Sequence, residues 1–394
     1  MSWFHIAALV LLWIIAAFWL WRGQAALRSL PRVPNLWDSS TDAPTETGAA
    51  IAVIVPARNE QAAIEDTLRS LLAQTIPVEI ITVDDRSTDA TGAIMDRIAA
   101  EPIPAGKSLR VLHVADLPEG WLGKPHAMAL AARHATAPWL LFTDADVLFA
   151  PDVLARALSF AAQSGADHLV LMPTLILKTP AERSLVTFFQ SFSLLWWRPW
   201  RIGQPDASDS IGIGAFNLIR AQVYRAVGGF EAQRFQILDD VRLGVEVKRA
   251  GYRQEIVFGR ELIRLHWVPG ALGMTRNLTK NFYAGFGFNP ALLLGACLGL
   301  VLLCLAPIAG LFAPWPFRAA ALLSLAMIAL HYRLASRYFN GVSTGYALAL
   351  PVATLLAIYG MLRSMVLALW RSGVVWRGTF YPLRELRKQS GRLR

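Results

Sequence analysis

The chain has 394 residues, 55% of them hydrophobic, with 38 Lys and Arg against 28 Asp and Glu for a formal net charge of +10. Its mean hydropathy of +0.40 excludes a disordered or purely soluble polar chain, and the length exceeds that of one average domain. Only two cysteines occur, Cys297 and Cys304, in one apolar stretch, which excludes a disulfide framework or a cysteine zinc site.

In chain order, residues 6–20 come first, an uncharged apolar run. No basic residue precedes it, no small-residue cleavage site follows, and Trp21 and Arg22 close it as a stop-transfer boundary would. Residues 1–33 are therefore expected to be an uncleaved membrane anchor. Arg22, Arg28 and Arg32 place its C-terminal side, and with it residues 34–280, in the cytoplasm by the positive-inside rule. Residues 34–49 are polar and rich in turn formers and read as a linker.

A soluble unit is expected over 50–265. Strand-like apolar runs (51–56, 79–85, 110–116, 139–146) alternate with helical patterns at 61–73, 90–100 and 126–134. Ser87, Thr88 and Asp89 are candidate caps for the second helix. Near-continuous apolar strands alternating with helices predict an α/β fold with a mostly parallel sheet covered on both faces. Such sheets bind ligands at the carboxyl ends of their strands. Three of those ends carry acids here: Asp84 and Asp85, Asp116, and Asp144 and Asp146. No GxGxxG follows the first strand and no GxxxxGK[ST] occurs, which argues against a dinucleotide fold or a P-loop.

Asp144-Ala145-Asp146 can present two carboxylates to one hard cation, Mg²⁺ or Mn²⁺, whose shell is completed by phosphate oxygens and water. The alternative is a pair that caps the helix starting near Pro151 and Asp152.

Beyond the soluble unit, residues 266–290 are expected to be interfacial and 291–370 to hold two or three membrane segments. A span of about 20 apolar residues crosses a bilayer. The strong candidates are 291–312 and 345–370; the run 319–332 is short and bounded by Arg318 and Arg333. Residues 371–394 hold seven Lys and Arg and one acid, a basic tail suited to anionic cytoplasmic lipid rather than nucleic acid. A cytoplasmic tail requires an even number of crossings after residue 281. Either 319–332 is a partial element or the tail breaks the rule.

The ordered set VIVPARNE (53–60), VDDRSTDATG (83–92), GWLGKPHAMALA (120–131), FTDAD (142–146), IGIGAFNLIRAQVYRAVGGFE (211–231) and ILDDVRLGVEVKRAGYR (237–253) resembles the family 2 glycosyltransferases in order and spacing. The resemblance implies a GT-A fold, in which a Rossmann-like sheet binds a nucleotide-diphosphate sugar. Pro56, Arg58 and Glu60 would lie near base and ribose. Asp85, with Asp84, would accept from a uracil-type N–H. Asp144 and Asp146 would hold the divalent cation and the diphosphate, and Lys124 would either meet a phosphate or remain solvated. The family's base is the second acid of a Glu-Asp pair; this chain has Asp239-Asp240, so Asp240 is the expected base, with Asp239 as cap or partner. One base and no covalent step imply inversion at the anomeric centre.

By the same resemblance, GIGAFNLIR (212–220) would floor the acceptor or sugar pocket, its glycines serving either ligand approach or packing. The Q-x-x-R-W motif of processive synthases is absent: the region reads MTRNLTKNFYAGF (274–286), where Arg276 and Lys280 face phosphates, lipid headgroups or solvent. His266-Trp267 is a candidate cover for the nucleotide. FFQSFSLLWWRPWR (188–201) reads as a membrane-interface helix or a buried aromatic one. VVWRGTFYPLR (374–384) resembles the ends of membrane glycosyltransferases acting on ceramide, carotenoids or hopanoid-type lipids. The expectation is a multi-pass inner-membrane enzyme with its catalytic unit in the cytoplasm, transferring sugar from a UDP- or GDP-sugar to a lipid. A polyprenyl-phosphate sugar synthase and a membrane-bound nucleotidyltransferase are the alternatives.

Overall fold

The computed structural model describes residues 2–41, 50–266, 270–376 and 378–389. In chain order, helix α1 is Trp3–Ser29, followed by β1 (Ile51–Ala57), α2 (Ile64–Leu72), β2 (Val78–Asp85), α3 (Thr91–Ala99), β3 (Lys107–Val114), α4 (Gly123–His134) and β4 (Trp139–Phe142). Next come β5 (Val147–Phe149), α5 (Val153–Ser164), β6 (His168–Leu171), β7 (Thr174–Leu175), α6 (Pro180–Trp196), β8 (Asn217–Arg220), α7 (Ala221–Ala226), α8 (Asp239–Arg249), β9 (Gln254–Val257) and β10 (Ile263–Leu265). The chain closes with α9 (Ala271–Gly285), α10 (Pro290–Leu300), α11 (Ala306–Gly310), α12 (Trp315–Ala335), α13 (Leu350–Trp370), β11 (Gly373–Trp376), β12 (Thr379–Pro382) and α14 (Leu383–Gln389).

Seven strands form the main sheet in the order β3-β2-β1-β4-β8-β6-β9. The run β3-β2-β1-β4 is parallel, and β8 is antiparallel to both its neighbours. This is the expected mostly parallel sheet. Alternation along β1 sends Ile51, Val53, Val55 and Ala57 into one core and Ala52 and Ile54 into the other, so both faces are covered. The carboxyl ends of β1, β2 and β4 then stand side by side at one edge.

The first part of the expected linker is pinned to the soluble unit. Leu36 is fully buried, its amide donates to the Phe258 carbonyl at 2.7 Å, and Trp37 Nε1 donates to the Arg260 carbonyl at 2.8 Å. An apolar side chain within a polar stretch is enough to anchor it. Residues 42–49 of that linker lie outside the described residues.

Four helical stretches are long and apolar enough to cross a membrane: Trp3–Arg32, Pro290–Gly310, Trp315–Asn340 and Thr344–Trp370. The run 319–332, expected to be short, belongs to a 26-residue helical stretch. Its bounding arginines do not end it, because backbone hydrogen bonding continues past a charge that finds a partner: Arg318 Nε donates to the Leu311 carbonyl at 3.1 Å.

Helices α1 and α12 run parallel. Leu12 packs with Ala321 near Gly310, and Gly23 packs against Met327, Leu330 and His331. The end of the α12 stretch returns to the soluble unit, where Phe339 meets Phe258 edge-on and Asn340 bonds Thr187 of α6 at 3.2 Å. Helix α13 lies along α9, with Gly360 against Thr275 and Phe282, and Arg363 donating to Thr279 Oγ1 at 2.6 Å.

The aromatic helix α6 is buried along its middle. Phe188 and Phe192 stack on each other at 4.7 Å, and Phe192 meets Trp19 of α1 edge-on. Trp196 alone of this group points outward, 70% exposed. Arg198 is held by Asp209 at 2.7 Å and does not face outward unpaired.

Candidate active site

A cavity of about 610 Å³ opens at the carboxyl edge of the sheet. One wall belongs to the strand ends: Pro56, Arg58, Glu60, Asp85, Asp144 and Asp146, with Gly123 and Lys124 from the start of α4. The opposite wall comes from α9, α13 and the hairpin β11–β12.

Lys124 organises the acidic wall. Its Nζ stands 2.5 Å from Asp144 Oδ1. Burial works against its charge, but Asp144, Asp239 and Asp240 together outweigh that and raise its pKa. It is therefore a fixed ammonium and not a solvated side chain.

Asp146 has its carboxyl pushed up to about 7 by burial, then by the charges of Asp144 and Glu60. A divalent cation placed between the two carboxylates would offset this repulsion, beyond what the Lys124 ammonium already supplies to Asp144. Among the described residues no group of three or more His, Cys, Asp or Glu is spaced to hold a metal alone. An ion here would take Asp144 and Asp146 and draw its remaining ligands from a bound diphosphate and water, the coordination habit of Mg²⁺. The residues fit that group.

Asp85 is 4% exposed, and Arg86 grips both its oxygens at 2.8 and 3.1 Å. A carboxylate accepts more than two hydrogen bonds, so the expected contact to a base N–H stays open to it. Gly123 is required beside it, since a Cβ there would stand 2.3 Å from Asp85 Oδ2. Asp84 does not line the cavity. Strand alternation turns it the other way, where it accepts from the Ser87 amide at 3.1 Å and faces His113 Nδ1 at 3.3 Å. Asp89 clasps the turn before α3, accepting from the Thr91 amide at 3.0 Å and the Gln61 amide at 3.2 Å.

The acid pair of α8 lies behind Lys124, outside the cavity lining. The position preceding the helix is Leu238, with no side-chain cap, so Asp239 does not play the capping role expected of it. Asp239 is 3% exposed, its Oδ2 has no hydrogen-bond partner, and burial raises the pKa of its carboxyl against the pull of Lys124. Asp240 is the member tied to the backbone: Oδ1 accepts from the Val241 amide at 2.8 Å. Burial raises its pKa as well, again opposed by Lys124. A buried acid with an unsatisfied oxygen marks a place where a further group belongs.

The glycines of 212–214 divide their work. A Cβ on Gly212 would lie 1.7 Å from the Asp240 carbonyl oxygen, and one on Gly244 would lie 1.8 Å from the Ile211 carbonyl oxygen, so these two seat the loop on α8. A Cβ on Gly214 would lie 2.6 Å from Asp144 Oδ2 and 3.1 Å from Lys124 Nζ, so Gly214 borders the site itself.

The hairpin is the part of the cavity that the sequence reading missed. Residues 371–394 were expected to be a lipid-binding tail, yet Arg371, Val374, Val375, Trp376 and Tyr381 line the same cavity as Asp144. Arg58 Nη1 contacts Thr379 Oγ1 at 3.5 Å, and the Trp376 ring lies 4.0 Å from the Lys280 ammonium. The signal was present: VVW and TFY, both of strand type, are separated by only two residues in the sequence, and Gly378 takes φ +80°. His266 stands outside the lining, 3.7 Å from Glu182 at the start of α6; Trp267 lies outside the described residues.

Residues 52–228 match the model of "Glycosyl transferase family 2". The 4,4'-diaponeurosporenoate glycosyltransferase of Staphylococcus aureus strain MRSA252 is 28% identical over 198 residues, 50% of this chain and 50% of that protein. Its counterpart in strain USA300 is 27% identical over the same length. The chain thus spans about half the length of the curated relatives it matches. Among solved structures, a mannosyltransferase of Pyrobaculum calidifontis in complex with GDP-Man and Mn²⁺ is 22% identical with a TM-score of 0.46, covering 91% of this chain and 99% of that one. A Staphylococcus aureus TarS structure, residues 1–349 with UDP-GlcNAc, is 16% identical with a TM-score of 0.40, covering 84% of this chain and 95% of that one. With its motifs in family order and its strand ends converging on one cavity, the chain matches the glycosyl transferase family 2 domain over residues 52–228.

Proposed function

We propose that this chain transfers a sugar, with inversion, from a UDP- or GDP-sugar to a membrane lipid at the cytoplasmic face. The observation that carries the reading is a single cavity joining the carboxylate–lysine wall of the sheet to helices of the apolar C-terminal region. The named relatives, glycosyltransferases of 4,4'-diaponeurosporenoate, support a lipid-related acceptor.

Pro56, Arg58, Glu60 and Asp85 would receive the nucleotide. Asp144 and Asp146 would hold the divalent cation, which supplies Lewis-acid neutralisation of the diphosphate when bound. Lys124 adds a fixed positive charge to the same leaving group. The acceptor hydroxyl oxygen bonds to the anomeric carbon as the bond to the diphosphate breaks, and its proton goes to the acid pair. Asp240 is the base in this reading. Its raised pKa suits proton uptake, and its place behind Lys124 puts base and leaving-group cation in electrostatic contact.

The helix packing also supports a topology. The α12 stretch ends at Phe258 and α6, and α13 ends at the cavity, which supports a reading in which both ends of α13 lie on the side of the catalytic domain. A helix that starts and ends on one side does not cross. In this reading α1, the α10–α11 stretch and α12 cross the bilayer, and α13 lies along its inner boundary on α9. The tail is then cytoplasmic, as its charge requires, but the non-crossing run is 345–370 and not 319–332.

The direct test incubates the purified chain with Mn²⁺, radiolabelled nucleotide sugars and a bacterial lipid extract. Lipid-soluble label that disappears in Asp240→Asn supports the reading. No label from any donor, with Asp240→Asn indistinguishable from wild type, refutes it.

A further inference from the structure

The part of the cavity built by α9, α13 and the hairpin is cationic. Arg276 and Lys280 come from one face of α9, Arg363 from α13, and Arg371 from the residue after α13. These helices have no acids of their own: between Glu261 and Glu385 the chain contains ten Lys and Arg and no Asp or Glu. The donor's diphosphate is already provided for on the other wall by Lys124 and the two carboxylates. The cationic wall adjoins an apolar strip of Leu367, Ala368, Val374 and Val375 in the same cavity. A cluster of guanidinium groups beside an apolar strip, continuous with helices that face lipid, is complementary to an amphiphile with an anionic head.

We infer that the acceptor is an anionic amphiphile. Its phosphate or carboxylate group lies against Arg276, Arg363 and Arg371, and its chain runs over the apolar strip. The inference rests on the lipid-acceptor reading above and narrows it. Arg276 is an exposed residue on α9, whereas Arg363 is also tied to Thr279, so Arg276 is the cleaner probe. Guanidinium pairs with phosphate or carboxylate in a bidentate fork, which accounts for three arginines where lysines would supply the same charge.

The test uses the full chain in nanodiscs of neutral phosphatidylcholine and measures partition of dodecyl phosphate, dodecanoate and dodecanol against empty discs. Binding of UDP with Mn²⁺ is measured in parallel. The expected result is at least a tenfold preference for both anions over dodecanol, on the order of 1.4 kcal/mol. That preference should fall in Arg276→Gln and vanish in Arg276→Gln with Arg363→Gln, while Arg276→Lys retains part of it and UDP affinity stays within about twofold. Equal binding of the three amphiphiles by wild type overturns the inference. Loss of UDP affinity in the double variant with the anion preference intact overturns it too, since the wall would then serve the donor. Failure of wild type to bind UDP at all sinks the glycosyltransferase reading, while the anion preference, measured without nucleotide, still decides this one.

Discussion

Gly212 and Gly214 stand one residue apart on the same loop, and alanine at each should do a different kind of damage. At Gly212 the new Cβ falls 1.7 Å from the Asp240 carbonyl oxygen, 2.4 Å from its carbon and 3.0 Å from the Val241 nitrogen. All three atoms are backbone of α8, so no rotamer change relieves the clash. Loop and helix must separate by more than an ångström, in a region where Leu243 is fully buried. Overpacking a core costs about 1–3 kcal/mol, and a backbone-on-backbone clash belongs at the upper end, near 3 kcal/mol. At Gly214 the nearest atoms are Asp144 Oδ2 at 2.6 Å and Lys124 Nζ at 3.1 Å, both far ends of side chains that can swing away. That change should cost less than about 1 kcal/mol of stability but pull Asp144 from Lys124 and weaken donor binding roughly tenfold or more. Thermal unfolding in detergent and the Kd for UDP with Mn²⁺ separate the two effects. Gly212→Ala with an unchanged melting temperature would refute the packing argument. Gly214→Ala with wild-type donor affinity would refute the assignment of this loop to the site.

Other consequences are open to measurement. Asp144→Ala or Asp146→Ala should abolish the cation dependence of UDP binding in calorimetry, and unchanged dependence would remove the metal assignment. His168, fully buried between Asn217 and Gln254, titrates at about 4 in the fold because burial disfavours its charge, against about 6.5 when unfolded. Its folded pKa is depressed, so this contribution to stability is present above pH 6.5 and is lost as pH falls towards 4, by roughly 3 kcal/mol in all. His168→Gln should flatten that part of the stability–pH curve; an identical acid slope in the variant would be evidence against it. Removing residues 373–394 should leave the catalytic domain folded while lowering UDP affinity, since one side of the cavity goes with the hairpin; donor affinity equal to wild type would show the hairpin to be a bystander. Cysteines placed at Ser343 and Ser372 should react with an impermeant maleimide from the side of the catalytic domain and one at Phe312 from the other side. Ser343 and Ser372 labelling from opposite faces would make α13 a crossing helix.

Much of this was legible in the sequence because the physics involved is local. Alternation in IAVIV and EIITV, helical spacing in 61–73 and uncharged runs of membrane length are set by side-chain period and hydropathy alone, and they specified the sheet, its covering helices and the candidate spans. The carboxylates at strand ends were legible for the same reason: a parallel sheet has one functional edge, and Asp85, Asp144 and Asp146 had to arrive there. What remained hidden depends on which distant surfaces meet. Asp84 and Asp85 look equivalent as letters, but the pleat sends one to His113 and the other to the cavity. The basic tail looked like a lipid tether because charge density is visible in a sequence while the return of a hairpin across some 230 residues to Asp144 is not. Hydropathy also cut 319–332 short at its bounding arginines, whereas the structure continues it into a 26-residue helical stretch. Composition and periodicity determined that this chain joins a mostly parallel α/β sheet to apolar helices; only the packing of α9, α13 and the hairpin against the strand ends decided that the two share one cavity, because burial between separate elements is a property of the assembled surfaces and of no single segment.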